Sequence, residues 1–556
     1  MLDRLLDQLN TESTSGVLRM TPRVSWLDRT DETVRTLLTD MAADPNGQFE
    51  SCAYETGRLV TLAPSLPGHD HRVRYLLGTQ QADGRWGGPG DYDIVTTLSA
   101  TEALLTERDR PGAHPGAAHG AERGLTALSR RLRSTTTLPD TVAVEIMVPA
   151  LVADVNVHLA RLGRRPLPLP DGTRAELLDA VRGAAAHGHA LPDKLLHSLE
   201  IVGPAASGAD FVRPVDERIV GCSPAATAAW LGDETIRRGE HPAVEYLLSV
   251  RHADGGVPVA APLTLFERSW VLSTLADSGV PLTAPRPVLD ELVTSLHAAF
   301  SDDGAAGGLG LPADVDDTAT GLYALALLER PRSIECLWQF DRGDHFFCFP
   351  EERTASPTAN AHVVQALGSA LAAPPARSGL SGEPRSRAAD ALATVTRWLV
   401  ERQDTDGSWS DKWHASPYYA TACCAVALAQ YGGEAARPAV DRAVDWVLTS
   451  ERAPGTWGRW FGTREETAYA VRTLLRAGNP AGEVGEVLAR AAARGAASLL
   501  HRWDDDTPHP PLWHDKDVYT PSRIVQTEII AALYAAHTDP RTAGLLAEAR
   551  TTAGIG

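Results

Sequence analysis

The sequence predicts an all-α protein, and three observations carry that expectation. Apolar residues recur at helical spacing, as in Ala319, Leu322, Leu325 and Leu328, and again in Val440, Ala443, Val444 and Val447. Long alternating patterns of the strand type do not occur. Gly and Pro punctuate the apolar stretches, as at Leu66-Pro67-Gly68 and Pro374-Pro375, which places turns between helices. At 556 residues the chain exceeds one ordinary domain and accommodates two or three. An all-α chain of that length is expected to form a helical array or toroid.

The bulk numbers narrow the function classes. Hydrophobic residues make up 43%, enough for large cores. Lys plus Arg number 52 against 71 Asp plus Glu, for a net charge of −19. An acidic surface excludes nucleic acid as the partner, because phosphate backbones need clustered cations. A small anionic ligand needs only a local basic pocket and stays admissible. The six cysteines, Cys52, Cys222, Cys336, Cys348, Cys423 and Cys424, have neither metal-ligand spacing nor a disulfide framework, and Cys423-Cys424 reads as small core packing. Met1 to Asn10 is charged and amphipathic, unlike a cleavable signal. The most apolar stretch, Ala420 to Ala429, falls short of the roughly 20 residues a bilayer span needs. A cytoplasmic protein without membrane insertion is expected.

A repeat sharpens the picture. Gln80 to Trp86 (QQADGRW) and Gln403 to Trp409 (QDTDGSW) fit Q-x-x-x-G-x-W, and Glu451 to Trp457 (ERAPGTW) replaces Gln with Glu. Arg251 to Val257 and Gln339 to His345 are weaker echoes. Each sits between helical stretches, so Gly is expected in a left-handed turn, with the Gln amide capping a helix and the Trp packed over it. Residues 372–387, rich in Pro, Ser and Gly, read as an exposed loop.

The most informative residues are Asp314-Val315-Asp316-Asp317, directly before a helical run. Carboxylates suit a helix N-terminus, so the motif reads as an over-determined helix start or a hard-cation site. The next helical turn lacks further acids, which weakens the cation reading. Crowded carboxylates also cannot all ionise cheaply, so one keeps its proton. Protonation of an unactivated alkene needs such an acid in a dry pocket.

The acid motif together with the repeats resembles the class II terpene cyclases, the family of squalene–hopene cyclases and copalyl diphosphate synthases. Further stretches resemble its diterpene branch: Tyr54-Glu55-Thr56-Gly57, Leu195 to Glu200 (LLHSLE), Ser223 to Ala228 (SPAATA), Gly255-Gly256-Val257-Pro258 followed by Leu265 to Trp270 (LFERSW), Asp411-Lys412-Trp413, and Trp513 to Tyr519 (WHDKDVY). These ordered matches cover nearly the whole chain. The resemblance implies two α/α-barrel domains, β and γ. Residues 1–24 would be the N-terminal helix of β, 25–270 the inserted γ domain, and 271–556 the rest of β. The metal motif of ionising cyclases is missing, so the family's third, class I α domain is expected to be absent and the product to keep its diphosphate.

By the family's pattern Asp316 is the general acid, Asp314 and Asp317 tune it, and Asn360 hydrogen-bonds it. His197 matches the His that, with an Asn, positions the water taking the final proton in the plant enzymes, but Val259 stands where they place that Asn. Trp270, Trp338, Phe346, Phe347, Trp413 and Tyr418 are candidates to line the cavity with aromatic faces that stabilise carbocations. The family's acidic stretch in γ aligns with Gly163 to Pro170, which holds no acid, so the ligands of the expected Mg²⁺ stay unassigned. Arg164, Arg165, Lys412, Lys516 and Arg523 are candidate diphosphate cations. The implied activity is cyclisation of geranylgeranyl diphosphate to a bicyclic, labdane-type diphosphate, with Mg²⁺ bound alongside the substrate diphosphate. A farnesyl diphosphate cyclase making a drimane-type product, a triterpene cyclase, and a catalytically silent toroid that binds a partner are the rivals. The triterpene reading is disfavoured by the sparse repeats, and the toroid reading by the intact acid motif. A homodimer is compatible with the sequence.

Overall fold

The computed structural model describes residues 26–134, 137–453, 455–505 and 507–552. In chain order its longer helices are α1 (Trp26–Ala43), α2 (Ala53–Leu62), α3 (His69–Thr79), α4 (Ile94–Arg108), α5 (Ala117–Ser134), α6 (Val144–Arg161), α7 (Ala175–Ala186), α8 (Pro224–Leu231) and α9 (Pro242–Ser249). There follow α10 (Thr264–Asp277), α11 (Arg286–Ala298), α12 (Val315–Leu327), α13 (Pro357–Ala372), α14 (Gly382–Glu401), α15 (Pro417–Tyr431), α16 (Gly433–Thr449), α17 (Arg464–Arg476), α18 (Gly482–His501), α19 (Ser522–Thr538) and α20 (Pro540–Thr552).

These helices sort into two rings within rings. In the C-terminal unit α10, α12, α13, α15, α17 and α19 each touch the next, and α19 returns to α10. This inner ring is apolar nearly all round: α12 buries Val315, Ala319, Leu322, Tyr323 and Leu325. Helices with one apolar stripe, α11, α14, α16 and α18, pack outside it. In the N-terminal unit α2, α4, α6, the 3₁₀ segment Leu199–Ala206 and α8 form a smaller ring, with α3, α5, α7 and α9 outside. Among the described residues no helix is long and apolar enough to cross a membrane.

The expected boundaries shift at two places. Helix α1 falls within the 25–270 unit of the sequence reading, yet it lies on the C-terminal ring, against α11 and α19. Trp26 stacks on His537 at 4.5 Å and meets Trp503 edge-on, and Thr283 Oγ1 donates to the Asp31 carbonyl. Helix α10 crosses the boundary at 270 and belongs to the inner ring. Motif positions mark where a segment lies along the chain, whereas membership is decided by which apolar face covers which. The expected helix at residues 1–24 lies outside the described residues. Within 372–387 the expected loop contains a helical turn, Pro375–Ser378, and α14 begins at Gly382, where Pro384 is tolerated in a first turn that needs no donor.

The repeats are turns that staple one helix to two others. Gln80 Nε2 donates to the Gly84 and Gly120 carbonyls, and Gln403 Nε2 to those of Gly407 and Ala439. The indoles of Trp86, Trp409 and Trp457 donate to Leu76, Leu399 and Val447 carbonyls, ten residues back in each case. Where Glu451 replaces Gln, Arg494 pairs with it. Three short antiparallel pairs complete the structure: β1 (Ser51–Cys52) with β2 (Val257–Pro258), β3 (Phe300–Ser301) with β4 (Gly304–Ala305), and β5 (Trp513–His514) with β6 (Val518–Tyr519). The β5–β6 hairpin extends from the C-terminal unit into the N-terminal one.

Candidate active site

Asp314 caps α12: its carboxylate accepts from the Asp317 N–H at 2.8 Å. The helix-start reading of the motif is therefore correct for this residue. The Asp314 and Asp317 carboxyls also hydrogen-bond to each other. Burial pushes Asp314 up to about 7, and burial with the Asp314 charge pushes Asp317 well above the carboxylate range. The pair thus holds a shared proton near neutrality. Gly307 makes room for it, since a Cβ there would lie 2.5 Å from Asp317 Oδ2.

Asp316 faces elsewhere. Its Oδ1 meets His362 Nδ1 at 2.5 Å. Burial alone would lower the His362 pKa, but the adjoining charge of an ionised Asp316 outweighs it and pushes it up to about 10, so the pair then holds its proton on His362. Asp316 Oδ2 has no hydrogen-bond partner among the described residues, and 12% of the side chain stays exposed. Asn360 is not the acid's partner. Its amide takes the Phe346 N–H at 2.9 Å and donates to the Phe346 and Ser356 carbonyls, which ties the loop before α13 to the helix. His362 is the residue that sequence reasoning missed. A titratable side chain inside the apolar run Ala361 to Val364 was the available signal.

Behind His362 a cavity of about 50 Å³ lies inside the inner ring, lined by Trp270, Cys423, Arg472, Asp277 and Glu528 among others. It is too small for a polyene chain. On the junction side a run of rings leads away from the acid. Trp270 meets His362 edge-on at 5.2 Å, donates to the Tyr419 hydroxyl at 3.1 Å and packs on Phe266. Phe266 meets Trp513, which packs on Tyr419 at 4.7 Å, and Phe49 spans Phe266 and Tyr519. Of the six aromatic candidates the structure brings Trp270 to the acid and buries Phe346 on the Asn360 amide. Tyr418 faces outward instead, on Trp446, because its neighbour Tyr419 occupies the inward phase of α15. Trp338 lies under the Arg387 guanidinium and Phe347 under that of Arg342, in the outer layer. Trp413 sits beneath the Lys412 ammonium at 5.1 Å.

The candidate cations are engaged. Lys412 pairs with Glu352 at 2.6 Å, and Arg523 bridges Asp44 and Glu267 at 3.0 and 2.9 Å. Lys516 is fully buried between Glu55 and Glu200 and donates to Ser223 Oγ and the His197 carbonyl. Arg164 pairs with Glu122 on the surface. A charge read from sequence carries no record of its partner, and these partners lie 42 to 479 residues away. Arg165 stays exposed. His197 crosses the junction: Nδ1 donates to the Gly221 carbonyl at 2.5 Å and Nε2 meets Asp515 Oδ1 at 2.8 Å. Val259, in the missing Asn's place, is buried. Among the described residues no group of three or more His, Cys, Asp or Glu could hold a metal ion.

Comparison with known proteins adds independent weight. Residues 379–505 match the squalene-hopene cyclase C-terminal domain. The chain is 42% identical to the ent-copalyl diphosphate synthase of Streptomyces sp. (strain KO-3988) over 508 residues, 90% of this chain and 94% of that protein. It is 39% identical to the labda-7,13-dienyl diphosphate synthase of Streptomyces clavuligerus, covering 89% and 91%. The solved ent-copalyl diphosphate synthase from Streptomyces platensis superposes with a TM-score of 0.83 at 41% identity, over 91% of this chain and 99% of that one. By sequence and by fold, the chain belongs to the bacterial copalyl diphosphate synthase family of class II, protonation-initiated terpene cyclases.

Proposed function

We propose that the protein converts geranylgeranyl diphosphate to a bicyclic, labdane-type diphosphate, with Asp316 as the proton donor. The observation that carries this reading is the asymmetry of the Asp316 carboxyl: Oδ1 held by His362 Nδ1, Oδ2 without a partner among the described residues. In the loaded acid the proton sits on Oδ2. The O–H bond breaks as the terminal alkene's π electrons take the proton, leaving a tertiary cation that the next two alkenes attack in turn. The Asp316 carboxylate left behind is paired at once with His362 Nδ1. The Asp314–Asp317 pair, sharing a proton, carries one negative charge instead of two. Trp270, Phe266, Tyr419 and Trp513 present ring faces rather than nucleophiles to the travelling cation.

The geranylgeranyl chain length rests on the relatives, whose printed products are copalyl and labdadienyl diphosphates. Mg²⁺ is proposed as a counter-ion carried by the substrate diphosphate. The described residues offer no cage for it, and no step passes through it. Incubation with geranylgeranyl or farnesyl diphosphate and Mg²⁺, then phosphatase treatment and mass spectrometry, tests the reading. A bicyclic alcohol from the geranylgeranyl substrate, no pyrophosphate release, and no product from Asp316→Asn are expected. Stoichiometric pyrophosphate, or near-native turnover by that variant, overturns it.

A further inference from the structure

Cyclisation must end with loss of a proton from a carbon next to the final cation, and the residue that receives it has to lie across the ring system from Asp316. His197 does not qualify. The Gly221 carbonyl can only accept, so Nδ1 carries a proton, and Nε2 points at a carboxylate oxygen, which demands a second proton. An imidazole with both nitrogens donating has no lone pair to offer.

Asp515 does qualify. Its Oδ1 accepts from His197 and from the Lys516 N–H, while Oδ2 has no partner among the described residues and 16% of the side chain is exposed. The other carboxylates at the junction are engaged or shut in. Glu55 holds Lys516 and accepts from the Ala225 N–H, and Asp517 accepts from Thr96 Oγ1 and the Val518 N–H. Glu200 holds Lys516 and Tyr54 through Oε1, and its Oε2, though without a partner, is buried in the protein. Burial would raise the Asp515 pKa, but the His197 and Lys516 charges outweigh it and keep the group below the usual carboxylate range. A C–H beside a carbocation is acidic enough that a weakly basic anion suffices, provided it is ionised and aimed.

Placement supports the same assignment. Asp515 sits at the turn of the β5–β6 hairpin, whose paired residues Trp513 and Tyr519 supply rings to the run leading from the acid. A strip of glycines runs from the acid motif to the residue that holds His197. Gly307 adjoins Asp317, Gly308 adjoins Cys222, Gly310 adjoins Gly221, and the Gly221 carbonyl holds His197.

We infer that Asp515 is the base that ends the reaction, with His197 as the residue that positions it; this rests on the cyclase reading above. The C–H bond breaks, its electron pair becomes the product alkene, and the proton passes to Asp515 Oδ2. The proton count balances against the one donated by Asp316, so no co-reactant is consumed. The test is product analysis of Asp515→Asn with geranylgeranyl diphosphate, run beside the wild type and with melting temperatures recorded. Protonation and ring closure should survive, while the wild-type alkene falls by about 100-fold relative to water-captured alcohols and alkene isomers, the scale of a positioned base. A folded variant that gives the wild-type product in unchanged proportion, or that consumes no substrate, overturns the assignment. If Asp515→Asn does not fold, Asp515→Glu decides: it keeps the charge on His197 but moves the oxygen by one methylene, so mixed alkenes support the base and a single wild-type alkene refutes it. Wild-type enzyme that fails to cyclise the substrate would instead refute the cyclase reading itself.

Discussion

Asn360 and His362 stand two positions apart on α13, so their side chains leave the helix about 200° from each other. Only one of them can meet Asp316, and the helix phase gives that place to His362. The two residues therefore make different predictions. His362→Gln keeps the volume and a hydrogen-bonding group but removes the titratable ring beside the acid. Turnover should fall by about 100-fold or more, the lower range for a participant in proton transfer, and the melting temperature should fall too, because Asp316 loses its buried partner. Asn360→Ala orphans the Phe346 N–H and C=O in a buried place, at about 1–3 kcal/mol for each group. It should melt earlier, yet the fraction that folds should make the native product. Rate and melting temperature measured on both purified variants decide between these outcomes. Equal loss of rate without destabilisation in Asn360→Ala would return that residue to the acid.

At the scale of the turn, Gly84, Gly407, Gly455 and Gly255 all adopt positive φ, between 73° and 98°. A Cβ at Gly407 would lie 2.5 Å from the Arg442 carbonyl oxygen, whereas one at Gly343, in the weakest of the repeats, meets nothing within 4 Å. Gly407→Ala should therefore cost more than the roughly 1–2 kcal/mol of left-handed backbone strain, and Gly343→Ala about that strain alone. Urea midpoints of the two variants separate the contributions, and equal shifts would show that close approach plays no part. The same turns explain what could be read from the sequence. Each is local, with Gln, Gly and Trp within seven residues, so pattern and geometry coincide. The acid motif is local too, and so are the apolar periods that specify the helices. What escaped was long-range: the outer place of α1, the Asp316–His362 pair 46 residues apart, and the carboxylates that neutralise Lys412, Lys516 and Arg523. That Tyr419 and not Tyr418 takes the inward phase of α15 was not legible either, because adjacent residues on an apolar helix differ only in phase, which the spacing of one short segment does not resolve.

At the scale of the whole molecule, the two units are joined by buried charge. Lys516 enters the N-terminal ring on the β5–β6 hairpin, and losing one partner of such a cluster costs about 3–5 kcal/mol because the remaining charges stay buried. Around this junction and the acid, burial makes stability depend on pH in a definite sense. It pushes Asp517 and Asp314 up to about 7, above the value near 4 of an unfolded Asp. The folded state then holds protons that the unfolded chain has released, so this contribution is complete below about pH 4 and is lost as pH rises through 7. His362, pushed up to about 10 by Asp316 against its burial, acts in the same direction from about 6.5 upward. His514 and His509, pushed down by burial to about 3 and 4, act in the opposite sense but only below about 6.5, where the unfolded chain takes up protons that the folded one refuses. Between pH 6.5 and 8.5 the groups with raised values titrate, Glu55 at about 7 among them, and the two lowered histidines do not. The melting temperature should fall across that interval, and Asp517→Asn, which cannot ionise, should flatten the slope. Calorimetry of wild type and variant at constant ionic strength measures both, and a melting temperature that rises with pH would mean these carboxyls are ionised throughout.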